Sequence, residues 1–263
     1  NKNFFFKNIN LNNYLELKRF AKLIKKKKIG IDIIIHLAGI VSNENLKKNL
    51  ENNFYTTKNI VKFSRLIGVK KIIYMSAIAA NYKIKTNYAI SKLKAEKYLK
   101  SFNGKWIVLR PSLTFGKNGE EFELIINFIK KFRFFLFTNK KVIKQPIYID
   151  DIVKISEKII CFKNNSIWNR SINIVGDKSY SLEKFAFTIA TFLGLKIMLI
   201  KIPFTLLKCI SYIFNYIYPK ILSKDKFFGL VQGPEIKNDF VEKILKYKIS
   251  NTEKKLKRVL NAY

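Results

Sequence analysis

One histidine, two cysteines and ten glycines are all that the 263 residues hold of the types that build triads, metal clusters and phosphate-binding turns. With His36 alone, His-rich metal sites are excluded, and a His-based triad has one residue left to draw on. Cys161 and Cys209 lie far apart and give neither a disulfide framework nor metal-ligand spacing, so no metal is expected. Long apolar runs are missing as well. The most apolar stretch, 196–222, is interrupted by Lys201, Pro203 and Lys208. Its uncharged part, 209–219, falls short of the ~20 residues that a membrane span needs. A helix in a substrate lobe is the reading for 196–222, with a helix lying on a membrane surface as the alternative. The chain opens at Asn1 without a methionine and without a charged-then-apolar leader, which reads as a fragment of a cytoplasmic protein, with surface association at a membrane as the variant.

What is present points to a folded enzyme-sized unit. The chain is 48% hydrophobic and 14% aromatic, enough to fill the core of one domain or of a domain with a lobe. The formal net charge is +33; of the 51 basic residues six are arginine, leaving 45 lysines. The lysines are scattered, with one run at Lys25–Lys28, and they accompany abundant Asn, Ile, Phe and Tyr. These residues share A/T-rich codons, so codon bias accounts for the excess. A nucleic-acid module would gather its charge and favour Arg, so no specific nucleic-acid partner is expected.

Short apolar segments alternate with helical periodicity. "IDIIIHLAG" (31–39) reads as a buried strand opening into a turn, and "LENNFYTTKNIVKFSRLIG" (50–68) as a helix stopping at Gly68. "VKKIIYMS" (69–76) and "KWIVLRPS" (105–112) are further strands, separated by a helix carrying Tyr88 and Lys92. "SINIVG" (171–176) adds another. Such β-α units build a doubly wound parallel sheet. Before them stand a strand, "NFFFKNI", and a helix, "NNYLELKRFAKLIKKKK". The Tyr88/Lys92 pair is weak evidence alone: in so lysine-rich a chain, chance supplies roughly two Tyr-x-x-x-Lys matches. Tyr14/Lys18, Tyr180/Lys184 and Tyr216/Lys220 repeat the spacing.

The order of motifs is more specific. HLAG, an Asn in the next helix, a strand ending in Ser, Tyr-x-x-x-Lys, Arg-Pro with Phe-Gly, and Tyr-Ile-Asp-Asp together resemble the extended (atypical) short-chain dehydrogenase/reductase family, in its NAD-dependent epimerase/dehydratase group. The resemblance runs from about 28 to about 180. It implies a Rossmann-type sheet lacking its first β-α-β unit: 1–112 as a partial dinucleotide-binding domain, completed by about 150–176, with 113–263 mainly a smaller C-terminal substrate lobe. By the ~30-residue size of a βαβ unit, roughly the first 50–60 residues are expected to be missing. The Gly-rich pyrophosphate loop is not in this chain, and with it goes the residue that separates NAD from NADP.

The resemblance also assigns roles. Tyr88 exchanges a proton with the substrate hydroxyl, and Lys92 binds the nicotinamide ribose. Four residues apart on a helix, the pair can interact, and the Lys92 ammonium is expected to draw the phenol down from its usual ~10. Ser76 is the third catalytic candidate, although the family's hydroxyl falls one place later, at Ala77. Leu37, Ala38 and Gly39 lie along the dinucleotide, with Asn53 in the following helix; the 53–59 stretch has Thr56 where the family has Gly. Pro111, Ser112 and Leu113 stand near the nicotinamide. His36 reads as a strand-end structural residue, and Asp150 and Asp151 as helix caps.

Three functions follow from this reading. One is an NAD(P)-dependent epimerase, dehydratase or reductase acting on a nucleotide-sugar or other small molecule, inactive as this fragment. Family members often dimerise through the helices that here are 50–67 and 86–101. The second is a non-catalytic accessory subunit of a membrane complex, since "YMSAIAAN", "RPSLTFG" and "QPIYIDD" also resemble the alpha subcomplex subunit 9 branch of respiratory complex I. The third, a charge-driven membrane-surface or nucleic-acid binder, ranks last.

Overall fold

Side chains alternate across a strand, so a strand buried on both sides needs apolar residues at nearly every position. The runs Ile33–Ile35, Ile72–Tyr74 and Ile107–Leu109 have them. In the computed structural model, which describes residues 6–41, 45–117, 119–217 and 224–263, helix α1 (Tyr14–Lys26) is capped by the Asn13 side chain and leads to strand β1 (Ile33–His36). Helix α2 (Leu46–Asn49), a π-helical segment (Leu50–Tyr55) and α3 (Thr56–Ile67) follow as one continuous run. Gly68, at φ 77°, stops it in the left-handed conformation that glycine adopts without strain. Strand β2 (Lys71–Met75), helix α4 (Asn87–Leu99) and strand β3 (Lys105–Pro111) complete two more units.

The lobe elements come next: β4 (Thr114–Phe115), α5 (Glu120–Phe132), β5 (Phe134–Phe137), β6 (Ile143–Lys144) and β7 (Ile147–Tyr148). Helix α6 (Ile149–Cys161) and strand β8 (Arg170–Ile174) return to the main sheet. After them stand β9 (Tyr180–Ser181), α7 (Leu182–Phe192), β10 (Met198–Lys201), α8 (Phe204–Ile217), α9 (Lys224–Leu230) and α10 (Thr252–Leu260). The main sheet is parallel, in the order β1-β2-β3-β8.

One face of that sheet, with Ile72, Tyr74 and Val108, packs on Val61 of α3 and Ala95 and Leu99 of α4. The opposite face, with Ile73, Ile107 and Leu109, packs on Ile152, Ile155 and Ile159 of α6. Helices on both faces make this the Rossmann-type architecture expected. Phe115, Phe122, Ile126, Phe185 and Leu256 centre a separate lobe core.

Some particulars differ from the sequence reading. Residues 3–5 of the strand read at "NFFFKNI" lie outside the described residues, and 6–9 form no strand. The stretch 196–222 is not helical throughout: it starts as β10, which pairs in parallel with β5, before α8 begins; 218–223 lie outside the described residues. Asp150 and Asp151 occupy the first turn of α6 but do not cap it. Asp151 is buried, and its Oδ1 accepts from the Tyr247 hydroxyl and from Ser250, tying the C-terminal segment to α6.

Candidate active site

At the carboxyl edge of the sheet, the turn after β1 is held by one buried side chain. Asn53 Oδ1 accepts from the Ile40 amide at 3.0 Å, while its Nδ2 donates to Ser91 Oγ at 2.9 Å and to the Ile40 carbonyl at 3.3 Å. That clamps the β1 turn to α4. Gly39 sits inside the clamp: a Cβ there would lie 2.5 Å from Asn53 Oδ1 and 3.1 Å from Lys92 Nζ. Gly39→Ala is therefore expected to destabilise the chain by about 1–3 kcal/mol, seen as a lower urea midpoint. An unchanged midpoint would mean that the turn can shift without loss.

His36 backs the turn. Thr57 Oγ1 donates its one hydrogen to the Asn53 carbonyl, so the 2.9 Å contact between Thr57 and His36 is donated by His36 Nε2. Burial, with Lys92 nearby, holds the imidazole neutral, its pKa near 3. It is a structural donor.

Tyr88 and Lys92 project from the first turns of α4, which is capped by Thr86, whose hydroxyl accepts from the Ala89 amide. Lys92 is buried. Its Nζ donates to the Met75 carbonyl at 3.1 Å and lies 5.2 Å from the Tyr74 ring centre and 5.8 Å from that of Tyr88. Burial lowers its pKa to about 8, against the opposing pull of Glu96. Tyr88 departs from expectation: its pKa is raised well above 10. Burial strips water from the phenolate, and the charge of Glu121 disfavours it further. The Lys92 ammonium, over the ring face and bonded to Met75, does not reverse this. Tyr88 is a neutral acid here.

Ser76 reaches the same place with its proton already engaged. Its hydroxyl donates to Glu96 Oε1 at 2.5 Å, and Glu96 is gripped by both Arg110 Nε (2.9 Å) and Nη2 (2.5 Å). Ser76 thus belongs to the network that fixes α4 to β3, and with Ala77 beside it no strand-end hydroxyl is free to donate to a substrate oxygen.

Leu37, Gly39, Ser76, Tyr88, Lys92, Pro111, Ser112 and Leu113 all border one cavity of about 560 Å³. Ala38 shares the turn but not the lining, and Asn53 stands behind Gly39. Two groups on this cavity were not legible in the sequence. Glu121, at the start of α5, acts on Tyr88 through charge; its one sequence signal is the acidic pair after Gly119. Lys144 is buried and donates to the carbonyls of Gly229 (3.2 Å) and Gln232 (2.7 Å), and nothing separates it from the other lysines in sequence.

Burial lowers the Lys144 pKa to about 7. Between there and the unfolded value near ~10.4 the unfolded chain binds the extra proton, so stability rises with pH across that window. Lys144→Met should flatten the rise when urea midpoints at pH 7 and pH 10 are compared with those of the parent; an equal slope in the two would assign the titration elsewhere.

The turn at Leu37–Gly39, the Lys92 amine and the Pro111–Leu113 segment surround one open volume, a fit for the nicotinamide end of a dinucleotide. The sequence holds no Gly-x-x-Gly-x-x-Gly turn for the pyrophosphate. Among the described residues no cluster of His, Cys, Asp or Glu could hold a metal ion. Among them also, no helix is long and apolar enough to cross a membrane.

A parallel sheet with helices on both faces and a cavity at its carboxyl edge defines a Rossmann-type, dinucleotide-fold protein. The chain belongs to the NAD dependent epimerase/dehydratase family, whose model matches residues 6–174, more than half of its length. Solved structures agree on the fold. UDP-glucose 4-epimerase of Thermotoga maritima superposes with a TM-score of 0.73 at 16% identity, over 99% of this chain and 84% of that one. The dTDP-4-dehydrorhamnose reductase of Bacillus anthracis gives 0.68 at 16%, over 97% and 87%. UDP-glucuronic acid 4-epimerase of Bacillus cereus gives 0.67 at 18%, over 97% and 76%. A mouse relative, NADH dehydrogenase [ubiquinone] 1 alpha subcomplex subunit 9, mitochondrial, is 30% identical over 100 residues. That stretch is 36% of this chain, and it spans about a quarter (26%) of the mouse protein's length.

Proposed function

We propose that this chain carries the acid–base half of an NAD(P)-dependent oxidoreductase or epimerase site acting on a hydroxyl-bearing or carbonyl carbon. Residues 1–112, completed by about 150–176, form its dinucleotide side, and 113–263 mainly its substrate lobe. The observation that carries this reading is the convergence of Tyr88 and Lys92 on one cavity beside Gly39, at the carboxyl edge of the sheet. Leu37, Gly39, Lys92 and Pro111–Leu113 would hold the nicotinamide end of NAD or NADP, which when bound gives or takes the hydride. Tyr88, neutral, gives its proton to the substrate oxygen as a carbonyl is reduced, and receives one in the reverse direction. Lys92 keeps a positive charge beside that exchange. Nucleotide-sugars are the substrate class suggested by the names of the structural neighbours.

A second reading draws on a different observation. Ser76 gives its proton to Glu96 and the next residue is Ala77, so the usual hydroxyl partner of the tyrosine is missing. Together with the mouse subunit, this supports a non-catalytic accessory subunit of a membrane complex that keeps a dinucleotide for structure. The test uses the protein with NADH and NADPH, following nicotinamide absorbance on carbonyl substrates. Turnover supports the enzyme. A tightly held dinucleotide, no turnover and co-purification with a membrane complex would replace it with the subunit.

A further inference from the structure

We infer that the body of the substrate is an aliphatic chain, and that its ketone or secondary alcohol is presented to Tyr88. The inference rests on the oxidoreductase reading for the chemistry at Tyr88, but the binding claim stands on the cavity. At about 560 Å³ the cavity falls within the ~300–1,000 Å³ of small-molecule sites. Beyond Tyr88 it runs into the lobe between α5, β5, α8 and α9. Leu124 and Phe128, Phe135, Leu207 and Ile210, and Phe227 form its walls. Leu207, Ile210 and Ser211 lie three and four residues apart on α8 and turn the same face of that helix inward.

Five polar residues on the walls, Ser76, Ser112, Thr114, Lys144 and Ser211, turn protons into the protein. Ser112 donates to the Gln145 carbonyl, Thr114 to the Ser112 carbonyl at 3.2 Å, and Ser211 to the Lys208 carbonyl at 2.6 Å. Ser76 donates to Glu96, and Lys144 to the carbonyls of Gly229 and Gln232.

A nucleotide-sugar would bring a diphosphate and a ring of hydroxyls into this space. Paired phosphates are met by arginine forks or several free cations. No arginine borders the cavity among the described residues. Its lysines are Lys92, bonded to Met75, Lys144, and Lys117 at the rim, where Glu120 and Glu121 also stand. An apolar chain needs none of these donors. It gains from leaving water in proportion to its length.

The test is binding by the full chain, by calorimetry, of 2-octanone, 2-decanone and 2-dodecanone against UDP-glucose. Affinity should rise about tenfold or more for each two carbons added, from about 0.8 kcal/mol per methylene, and UDP-glucose should bind more weakly than 2-dodecanone. Leu124→Trp and, on the facing wall, Ile210→Trp fill the space with apolar volume. Each should weaken 2-dodecanone binding at least tenfold while far-ultraviolet circular dichroism stays as in the parent.

Affinity flat with chain length, or tighter binding of UDP-glucose, overturns the inference. The length series on the unaltered chain decides even where a tryptophan variant fails to fold. Ketones that bind but never turn over with NADH or NADPH would remove the oxidoreductase reading alone; turnover of UDP-glucose with ketones ignored would remove the aliphatic substrate alone.

Discussion

Tyr88→Phe is expected to lower kcat by about 10²–10⁴-fold while leaving stability and dinucleotide affinity close to those of the parent. The substitution deletes one oxygen and keeps the ring that packs beside Lys92. Lys92 holds its place through the Met75 carbonyl and not through the phenol oxygen. A loss confined to kcat would thus mark the hydroxyl as the proton donor. The pH profile sharpens the test. With its pKa raised above 10, Tyr88 stays protonated across the neutral range and contributes no inflection there. Lys92, at about 8, does titrate: its charge is present below that pH and lost above it. Carbonyl reduction should therefore fall as pH rises through about 8. Activity that climbs through the same window, or a Tyr88→Phe variant as fast as the parent, would remove Tyr88 from the chemistry.

The sequence made the frame legible because the frame depends on local patterns. Short continuous apolar strands, a helix stopped at Gly68 and the order of short motifs are each readable within a few residues, and the sheet follows them. Gly39, Asn53, Tyr88 and Lys92 were singled out this way, and the structure brings them into one neighbourhood. Whatever depends on long-range partners was hidden. The run 50–67 has helical spacing, but its first turn widens into a π-helix at Leu50–Tyr55. That segment carries Asn53, whose amide faces both Ile40 and Ser91; such local widening recurs at functional positions.

The electrostatics were read with the wrong dominant effect. An ammonium four residues from a phenol suggests a lowered pKa, but burial and Glu121, 33 places further along the chain, outweigh it. Lys144 illustrates the same limit. Its burial is made by α9 and the loop after it, distant in sequence.

Breaking the Glu96–Arg110 pair is expected to have the largest effect on stability. Glu96 is 3% exposed at the side chain and Arg110 17%. The guanidinium holds both carboxylate oxygens, donates to Asn81 Oδ1 at 2.8 Å, and so joins β3, α4 and the segment after β2. Removing one partner strands a buried charge, at a cost of about 3–5 kcal/mol. Arg110→Met should lower the Tm by on the order of 10 °C, a large part of a margin of about 5–15 kcal/mol. The exposed pair Lys243–Asp239, by contrast, is open to water at both ends, and Lys243→Met should change little. Replacing both partners, Glu96→Leu with Arg110→Met, should recover part of the loss, because no charge is then left alone, and the recovery separates the cost of a stranded carboxylate from that of lost packing. The same pair bears on the chemistry. Glu96 lies one helical turn after Lys92 and accepts the Ser76 proton, so the double variant, folded but unpinned, should show a disturbed Lys92 position as weaker dinucleotide binding. A thermal midpoint for Arg110→Met within 2 °C of the parent, about the change that 1 kcal/mol would bring, would refute the assignment of this pair as the anchor of α4.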